Sequence, residues 1–422
     1  MSASAKRLAV DGGAPVRTTP WPTYDKGDAL LNADDQAAIA RALGSRRLFR
    51  YDTRRYEETE TGQLELELAR AFDVPYALAC SSGTAAIALG LMGAGLRPGD
   101  RVACPAFTFS ATPSAILLAG GVPVLVDVDD DLHFDLADLE RKLTPELKAV
   151  VVVHMRGFAS QIDRIAEFCR AKRLILVEDA VPSCGASLGG KHLGTFGDAG
   201  AFSTQSDKSI NTGEGGFVLF HDEQHLARAA VLAGAYEGRI HHHVAHTAFD
   251  PLSLPLFNFR LDEIRAALAR TQLARLDDKV RRHHAVYNEV AQRLAALGNI
   301  RVRQQVAPND GFLGECVNFW VEGADMATTQ WLVCALRAEG IEARQLGDPG
   351  DINIRCFWHW RFLWPQERAE VTMTRAPNAA RHLATAIDVP LAACLTAADR
   401  DDLIDAVGKV CAAHKRTMGV AA

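Results

Sequence analysis

Phe202-Ser203-Thr204-Gln205-Ser206-Asp207-Lys208-Ser209-Ile210-Asn211-Thr212-Gly213-Glu214-Gly215-Gly216 is the stretch on which the reading of the chain turns. One lysine sits among hydroxyls and amides. The apolar run 199–202 before it reads as the end of a strand, and a second apolar run, 217–220, follows the glycine-rich turn. A lysine on a loop between two rigid strands can be aimed at one point and kept from water. A desolvated amine is more readily neutral and nucleophilic, as Schiff-base chemistry requires. The plainer reading of the same segment is a solvated loop lysine.

Toward the N-terminus the chain alternates regularly. A helix over 64–72 leads to a strand over 76–80, then Ser81-Ser82-Gly83-Thr84 opens a helix over 85–92. Strands follow at 101–104, 122–128, 149–153 and 174–177, with helices through 118, over 135–142 and over 162–170 between them. Continuous apolar strands separated by amphipathic helices mean a parallel sheet covered on both faces. Ligands of such sheets bind beyond the carboxyl ends of the strands. Ser81 to Thr84, Pro105-Ala106-Phe107-Thr108-Phe109 and Glu178-Asp179 all fall at that rim. Before this block, residues 1–28 read as an extended arm, and Asn32 is placed to cap a helix over 34–43. The charges of 46–61 read as a solvated loop with internal ion pairs, with the sharper alternative that one arginine reaches an anionic substrate.

Beyond Phe220 the pattern changes. A helix over 223–232 precedes an irregular stretch holding His241, His242, His243 and His246. His242 and His246 have the spacing of a helical metal pair, but the stretch lacks helical periodicity and nearby acidic ligands, so a substrate-binding or solvated loop is the better reading and no metal is expected. One long helix is expected over 260–297, bridging to a small α+β domain with strands at 299–302 and 316–321 and helices at 327–339 and 397–414. The division is drawn as 1–260, an arm and a large domain, and 261–422, the bridge and the small domain.

A chain of 422 residues exceeds a single small core, and 48% hydrophobic with 23% charged residues describes an ordinary globular protein. A net charge of -6 argues against nucleic acid. Nine scattered cysteines with no CxxC pair read as reduced thiols. No apolar run has membrane-spanning length and no signal-like segment opens the chain, so a cytoplasmic protein is expected.

The rim residues have chemistry in common. A helix N-terminus with hydroxyls is a phosphate cradle, although Ser and Thr also cap helices for structural reasons. Asp179 ends an apolar strand, where a carboxylate caps a turn or holds a cationic ring nitrogen. Phe109 stacks on a flat ring or joins the core. With Lys208 these parts describe a site for an aromatic aldehyde phosphate, pyridoxal 5'-phosphate, whose ring is an electron sink when an acid pairs with its nitrogen.

On Ser82-Gly83-Thr84-Ala85-Ala86, Pro105 to Thr112, Val153-His154, Glu178-Asp179-Ala180, Lys208 with Thr212 to Gly216, and Asn258-Phe259-Arg260, the chain resembles the DegT/DnrJ/EryC1/StrS family of pyridoxal-phosphate sugar aminotransferases. The resemblance implies fold type I: a large domain with a mostly parallel seven-stranded sheet between helices, and a small C-terminal α+β domain. It implies that Lys208 carries the Schiff base and shuttles the proton, and that Asp179 pairs with the ring nitrogen. Phe109 then stacks on the ring, while Gly83, Thr84 and Ser203 bind the phosphate. Asn258 reaches the phosphate of a neighbouring subunit, which implies a homodimer with shared sites. The implied substrates are an amino donor, glutamate or glutamine, and a keto or aldehyde acceptor on a sugar, cyclitol or related metabolite, used in ping-pong order. The segments 49–51, 258–261 and 357–364 look most like the branch that aminates the terminal carbon of an eight-carbon keto-sugar acid.

The chain also departs from that pattern. Pro182 stands where the family usually has Gln, and Cys184 where His is frequent. Arg156 and Phe158 replace the usual aromatic and Gln, and Arg156 brings a positive charge that suits a carboxylated substrate. Pro182 keeps a pyridoxal-phosphate lyase, cyclase or oxidase open as an alternative; a non-catalytic cofactor-binding partner protein is disfavoured by Lys208 and Asp179 together.

Overall fold

Strands with no polar face must be covered on both sides, and the computed structural model, which describes residues 7–22, 31–243, 250–306, 311–348 and 350–417, covers them. In chain order the strands are β1 (Tyr76–Cys80), β2 (Arg101–Pro105), β3 (Val122–Val126), β4 (Leu147–Val153) and β5 (Ile175–Asp179), then a small hairpin of β6 (Ser187–Leu188) and β7 (Lys191–His192), then β8 (Ala199–Ser203) and β9 (Gly216–Phe220). Seven of them form one sheet in the order β1-β9-β8-β5-β4-β2-β3. All its pairings are parallel except those of β9, which runs antiparallel to both β1 and β8. The reversal has a use. Gly216, the first residue of β9, lies opposite Cys80 and Ser203, the last residues of its neighbours. The glycine-rich turn before β9 therefore opens on the same rim as the carboxyl ends of the other strands.

The helix Gly83–Gly93 has no polar side, and nearly all of it is buried. A helix apolar all round belongs in a core, and this one packs between the sheet and the helix Glu223–Ala233. Its N-terminus is thus a rigid part of the rim. Nearer the N-terminus, Asn32 caps the helix Ala33–Gly44 through the amides of Asp34 and Asp35, and the Asp35 side chain answers to the Asn32 amide, a capping box.

A second, antiparallel sheet consists of β10 (Ile300–Val302), β11 (Cys316–Val321), β12 (Arg344–Gln345) and β13 (Ile387–Pro390), in the order β10-β11-β13-β12. The helices Met326–Ala338 and Ala397–Thr417 pack together beside it. The single bridging helix expected over 260–297 is two helices, Glu263–Leu273 and Leu276–Ala295. Neither Gly nor Pro marks the break at Ala274 and Arg275, so periodicity alone runs through it. The second helix joins the layers: Leu276 and Val280 lie in a core with Phe202 and Ile210, while Val286, Tyr287, Val290 and Leu294 lie in the core of the second sheet.

Arg303, just after β10, ties that sheet to the first. It is 1% exposed. Its guanidinium donates to the carbonyls of Asp131 (2.6 Å), Leu132 (3.1 Å) and Met155 (3.1 Å) and stacks 4.0 Å from the Phe158 ring centroid. Burial pulls its pKa down to about 10. Removing the guanidinium strands buried carbonyls. Arg303→Met should destabilise the protein by roughly 3 kcal/mol, measured as a lower urea midpoint; an unchanged midpoint would show that the tie carries no net stability.

Candidate active site

A cavity of about 400 Å³ opens at the rim, lined among others by Gly83, Thr84, Phe109, Asp179, Ser203 and Lys208. The volume suits a cofactor-sized ligand. One side is the start of the helix Gly83–Gly93. The first amides of a helix have no partner within it. Ser82 Oγ accepts from the Ala85 amide at 3.1 Å, which leaves the amides of Gly83 and Thr84 to the cavity wall. A Cβ on Gly83 would come within 2.8 Å of Ser203 Cβ, so glycine lets the helix start and the end of β8 close on one cradle. Phe109 is 44% exposed, an unusual state for so large an apolar ring, and it presents to the cavity.

Asp179, the last residue of β5, is 5% exposed. Burial raises its carboxyl pKa above the ordinary value, opposed by the Thr112 hydroxyl, the Val181 amide and the charge of Lys208. Thr112 Oγ1 donates to Asp179 Oδ2 at 2.8 Å, and the Val181 amide donates to Oδ1 at 3.3 Å. Thr112 has one proton to give, so the 2.7 Å contact between the Thr108 and Thr112 hydroxyls runs from Thr108. Next to Asp179, Glu178 accepts from the amides of Gly194, Phe196 and Gly197. It also faces His154 Nε2 at 3.1 Å. The Ser160 amide donates to His154 Nδ1 at 3.2 Å, which puts the imidazole proton on Nε2, toward Glu178. Two adjacent carboxylates thus have separate roles. Glu178 is satisfied within the protein, whereas Asp179 faces the cavity.

Lys208 sits in the loop between β8 and β9, and its amide donates to Gln205 O at 2.8 Å. The loop closes on itself: Thr204 N donates to Gly215 O at 2.9 Å, Thr212 N to Thr204 O at 2.8 Å, and Ser206 N to Gly213 O at 3.1 Å. Gln205, Asp207, Lys208, Ser209 and Glu214 all line the cavity.

Six of the residues expected at the site, Gly83, Thr84, Phe109, Asp179, Ser203 and Lys208, therefore meet in one cavity. Asn258 does not join them. It is exposed on the segment whose next residue, Phe259, accepts from the Ser81 amide at 2.8 Å. Arg156 lines the cavity, but its charge is already engaged by the buried carboxylate of Asp388. It holds a left-handed φ of 64° in the turn Met155–Gly157. Phe158 is fully buried against Arg303 instead of facing the cavity. Two arginines of the charged loop serve the fold: Arg50 is buried against Glu65 at 2.8 Å, and Arg54 pairs with Asp52 and Glu263. His243 packs beside them, its Nε2 2.7 Å from the Tyr51 hydroxyl; His246 lies outside the described residues. The tryptophan-rich segment is largely core, with Phe357, Trp358 and Trp360 buried. Its effect is to deliver Arg355. A bridge between Phe107 and Cys356 sets the Arg355 guanidinium 5.6 Å from the Phe109 ring centroid. Arg355 and Glu315 are cavity residues that no local pattern marks in the sequence.

Fold and rim together place the chain among the α/β aminotransferases. The DegT/DnrJ/EryC1/StrS aminotransferase family matches residues 34–408, and the chain belongs to it. It is 33% identical over 306 residues to GDP-perosamine synthase of Caulobacter vibrioides, covering 69% of this chain and 78% of that one. It is 32% identical over 294 residues to L-glutamine:2-deoxy-scyllo-inosose aminotransferase of Streptomyces kanamyceticus, covering 68% and 67%. Its backbone matches the crystal structure of 3-amino-5-hydroxybenzoic acid synthase with a TM-score of 0.78 and 24% identity over 94% of this chain and 99% of that one, a likeness of fold.

The buried carboxylate has a testable cost. With its folded pKa above the unfolded value, Asp179 binds a proton in the native state before the unfolded chain does. Without cofactor, its ionised form therefore weakens the fold at neutral pH, and the weakening fades as pH falls through the raised pKa. Asp179→Asn keeps an acceptor for Thr112 and should raise the melting temperature of the cofactor-free protein at pH 7, with the gain shrinking toward pH 4. A gain that persists unchanged at acid pH, or none at all, would contradict this reading.

Proposed function

We propose that this chain is a pyridoxal 5'-phosphate-dependent aminotransferase that moves an amino group from glutamate or glutamine to a keto or aldehyde group on a sugar, cyclitol or related biosynthetic intermediate, in two half-reactions of ping-pong form. The observation that carries the reading is the meeting of Lys208, Asp179 and Phe109 in one cavity at an open helix N-terminus. When bound, the cofactor supplies an aldehyde for a lysine and a ring that draws off electrons. The chain's own residues supply the rest. The amides of Gly83 and Thr84 and the Ser203 hydroxyl take the phosphate, helped by the positive end of the helix. Phe109 stacks on the ring. Asp179, poorly solvated and fixed by Thr112, gains most from a cation beside it and so keeps the ring nitrogen protonated. Lys208 Nζ would hold the aldehyde at rest and, once displaced by the donor's amine, would serve as the base that carries the donor's α-proton.

The proposal extends to assembly and setting. Exposed and outside its own cavity, Asn258 is free to contribute to the phosphate site of a second copy, in a homodimer with shared active sites. No helix among the described residues is long and apolar enough to cross a membrane, and all nine cysteines are free. These features accord with work in the reducing cytoplasm.

Pro182 lies in the cavity wall and offers no donor to a cofactor oxygen, which sustains the lyase, cyclase or oxidase alternative. Titrating the cofactor-loaded protein with L-glutamate and then L-glutamine, followed by visible absorption, separates the readings. Loss of the visible band under one donor, and its return with an oxo acceptor, is expected. A band that no amino donor bleaches would overturn transamination in favour of the alternative chemistry.

A further inference from the structure

The loop that carries Lys208 is held from outside by two helices. Its base is closed by its own hydrogen bonds, but the run just after the lysine, Ser209 to Asn211, is buried at 1–5% exposure and bonds elsewhere. Gln272, from the helix Glu263–Leu273, meets Asn211 at both of its backbone groups. The Asn211 amide donates to Gln272 Oε1 at 2.8 Å, and Gln272 Nε2 donates to the Asn211 carbonyl at 2.6 Å. Asn211 Oδ1 in turn accepts from the Gly213 amide at 2.8 Å, which sets the returning turn. From the next helix, Leu276–Ala295, Lys279 Nζ donates to the Ser209 carbonyl at 3.3 Å. Gln272 is 4% and Lys279 8% exposed.

We infer that Gln272 and Lys279 are positioning residues that set where the Lys208 amine stands. The inference rests on the proposed role of Lys208. A side-chain amide is suited to this hold, because it satisfies a backbone donor and acceptor at once; leucine offers neither and glutamate lacks the donor. Lys279 is the more telling choice. An ammonium so deeply buried costs free energy that a methionine of similar length would not. Among its contacts is a grip on the carbonyl one residue from Lys208. Its helix belongs to both cores, with Leu276 and Val280 on the side of the large sheet and Val286, Tyr287, Val290 and Leu294 on the side of the small one. The Ser209 carbonyl is thereby tied to a helix anchored in both cores. Precision matters here, since a nucleophile displaced by about 1 Å can lose on the order of a hundredfold in rate.

A positioning role and a purely structural one differ in what each changes. Pyridoxamine phosphate has no aldehyde, so its affinity reports the cavity without the lysine's covalent step. The rate at which the visible band appears when pyridoxal phosphate is added to the cofactor-free protein reports that step. Gln272→Leu and Lys279→Met should leave pyridoxamine phosphate affinity unchanged and slow band formation by about tenfold or more. Lys279→Arg, which keeps a donor for Ser209, should recover most of the rate. Loss of pyridoxamine phosphate affinity in step with the rate, an unchanged rate, or failure of both variants to fold would each overturn the inference. Should Gln272→Leu alone fail to fold, the Lys279 pair decides. Lys208→Ala separates the two levels: a borohydride-reducible adduct to another lysine that still forms in that variant refutes the role of Lys208 itself, whatever the clamp variants do.

Discussion

A sheet covered by helices on both faces can meet a ligand only along an edge, and here that edge is the line of strand termini running across the sheet from β1 to β2. Everything chemical in the molecule follows from it. The strands are apolar until their carboxyl ends, so the residues that face the cavity arrive there together: Ser82 and Thr84 after β1, Thr108 and the exposed ring of Phe109 after β2, Asp179 at the end of β5 and Ser203 at the end of β8. The reversal of β9 completes the rim, because it turns the loop after β8 straight back and leaves Lys208 on a short closed loop between two buried strands.

The same constraint separates the two carboxylates at the end of β5. Adjacent residues of a strand point to opposite faces. Glu178 goes to the protein side, where three backbone amides and His154 satisfy it. Asp179 goes to the cavity, where one hydroxyl and one longer amide contact leave it under-solvated. A poorly solvated carboxylate is costly in the cofactor-free protein and well matched to a cationic ring nitrogen. On the proposed role of Asp179, the cost and the function are one property.

Much of this was legible in the sequence, because it is local. Each strand ends where its apolar run ends, and the residue that follows is read off directly. This holds for Gly83, Thr84, Phe109, Asp179, Ser203 and Lys208. What escaped reading depends on contacts between distant segments. Arg355 reaches the cavity only through the bridge of Phe107 with Cys356, and Glu315 only because the strand after it packs in the second sheet. The strand β13 reads poorly because it carries Asp388 and Pro390, yet Asp388 is buried there with Asn318 and Arg156 as partners. The charge of Arg156, suggestive in the sequence, is answered by that carboxylate. The helix break at Ala274 and Arg275 leaves no mark in composition.

The central claim is that the rim holds pyridoxal phosphate with its aldehyde on Lys208. The most direct measurement is borohydride reduction of the cofactor-loaded protein followed by peptide mapping. A single modified peptide, with the added mass on Lys208, is the expected result. Modification of another lysine, or a bound cofactor that borohydride fixes to no lysine, would contradict the account.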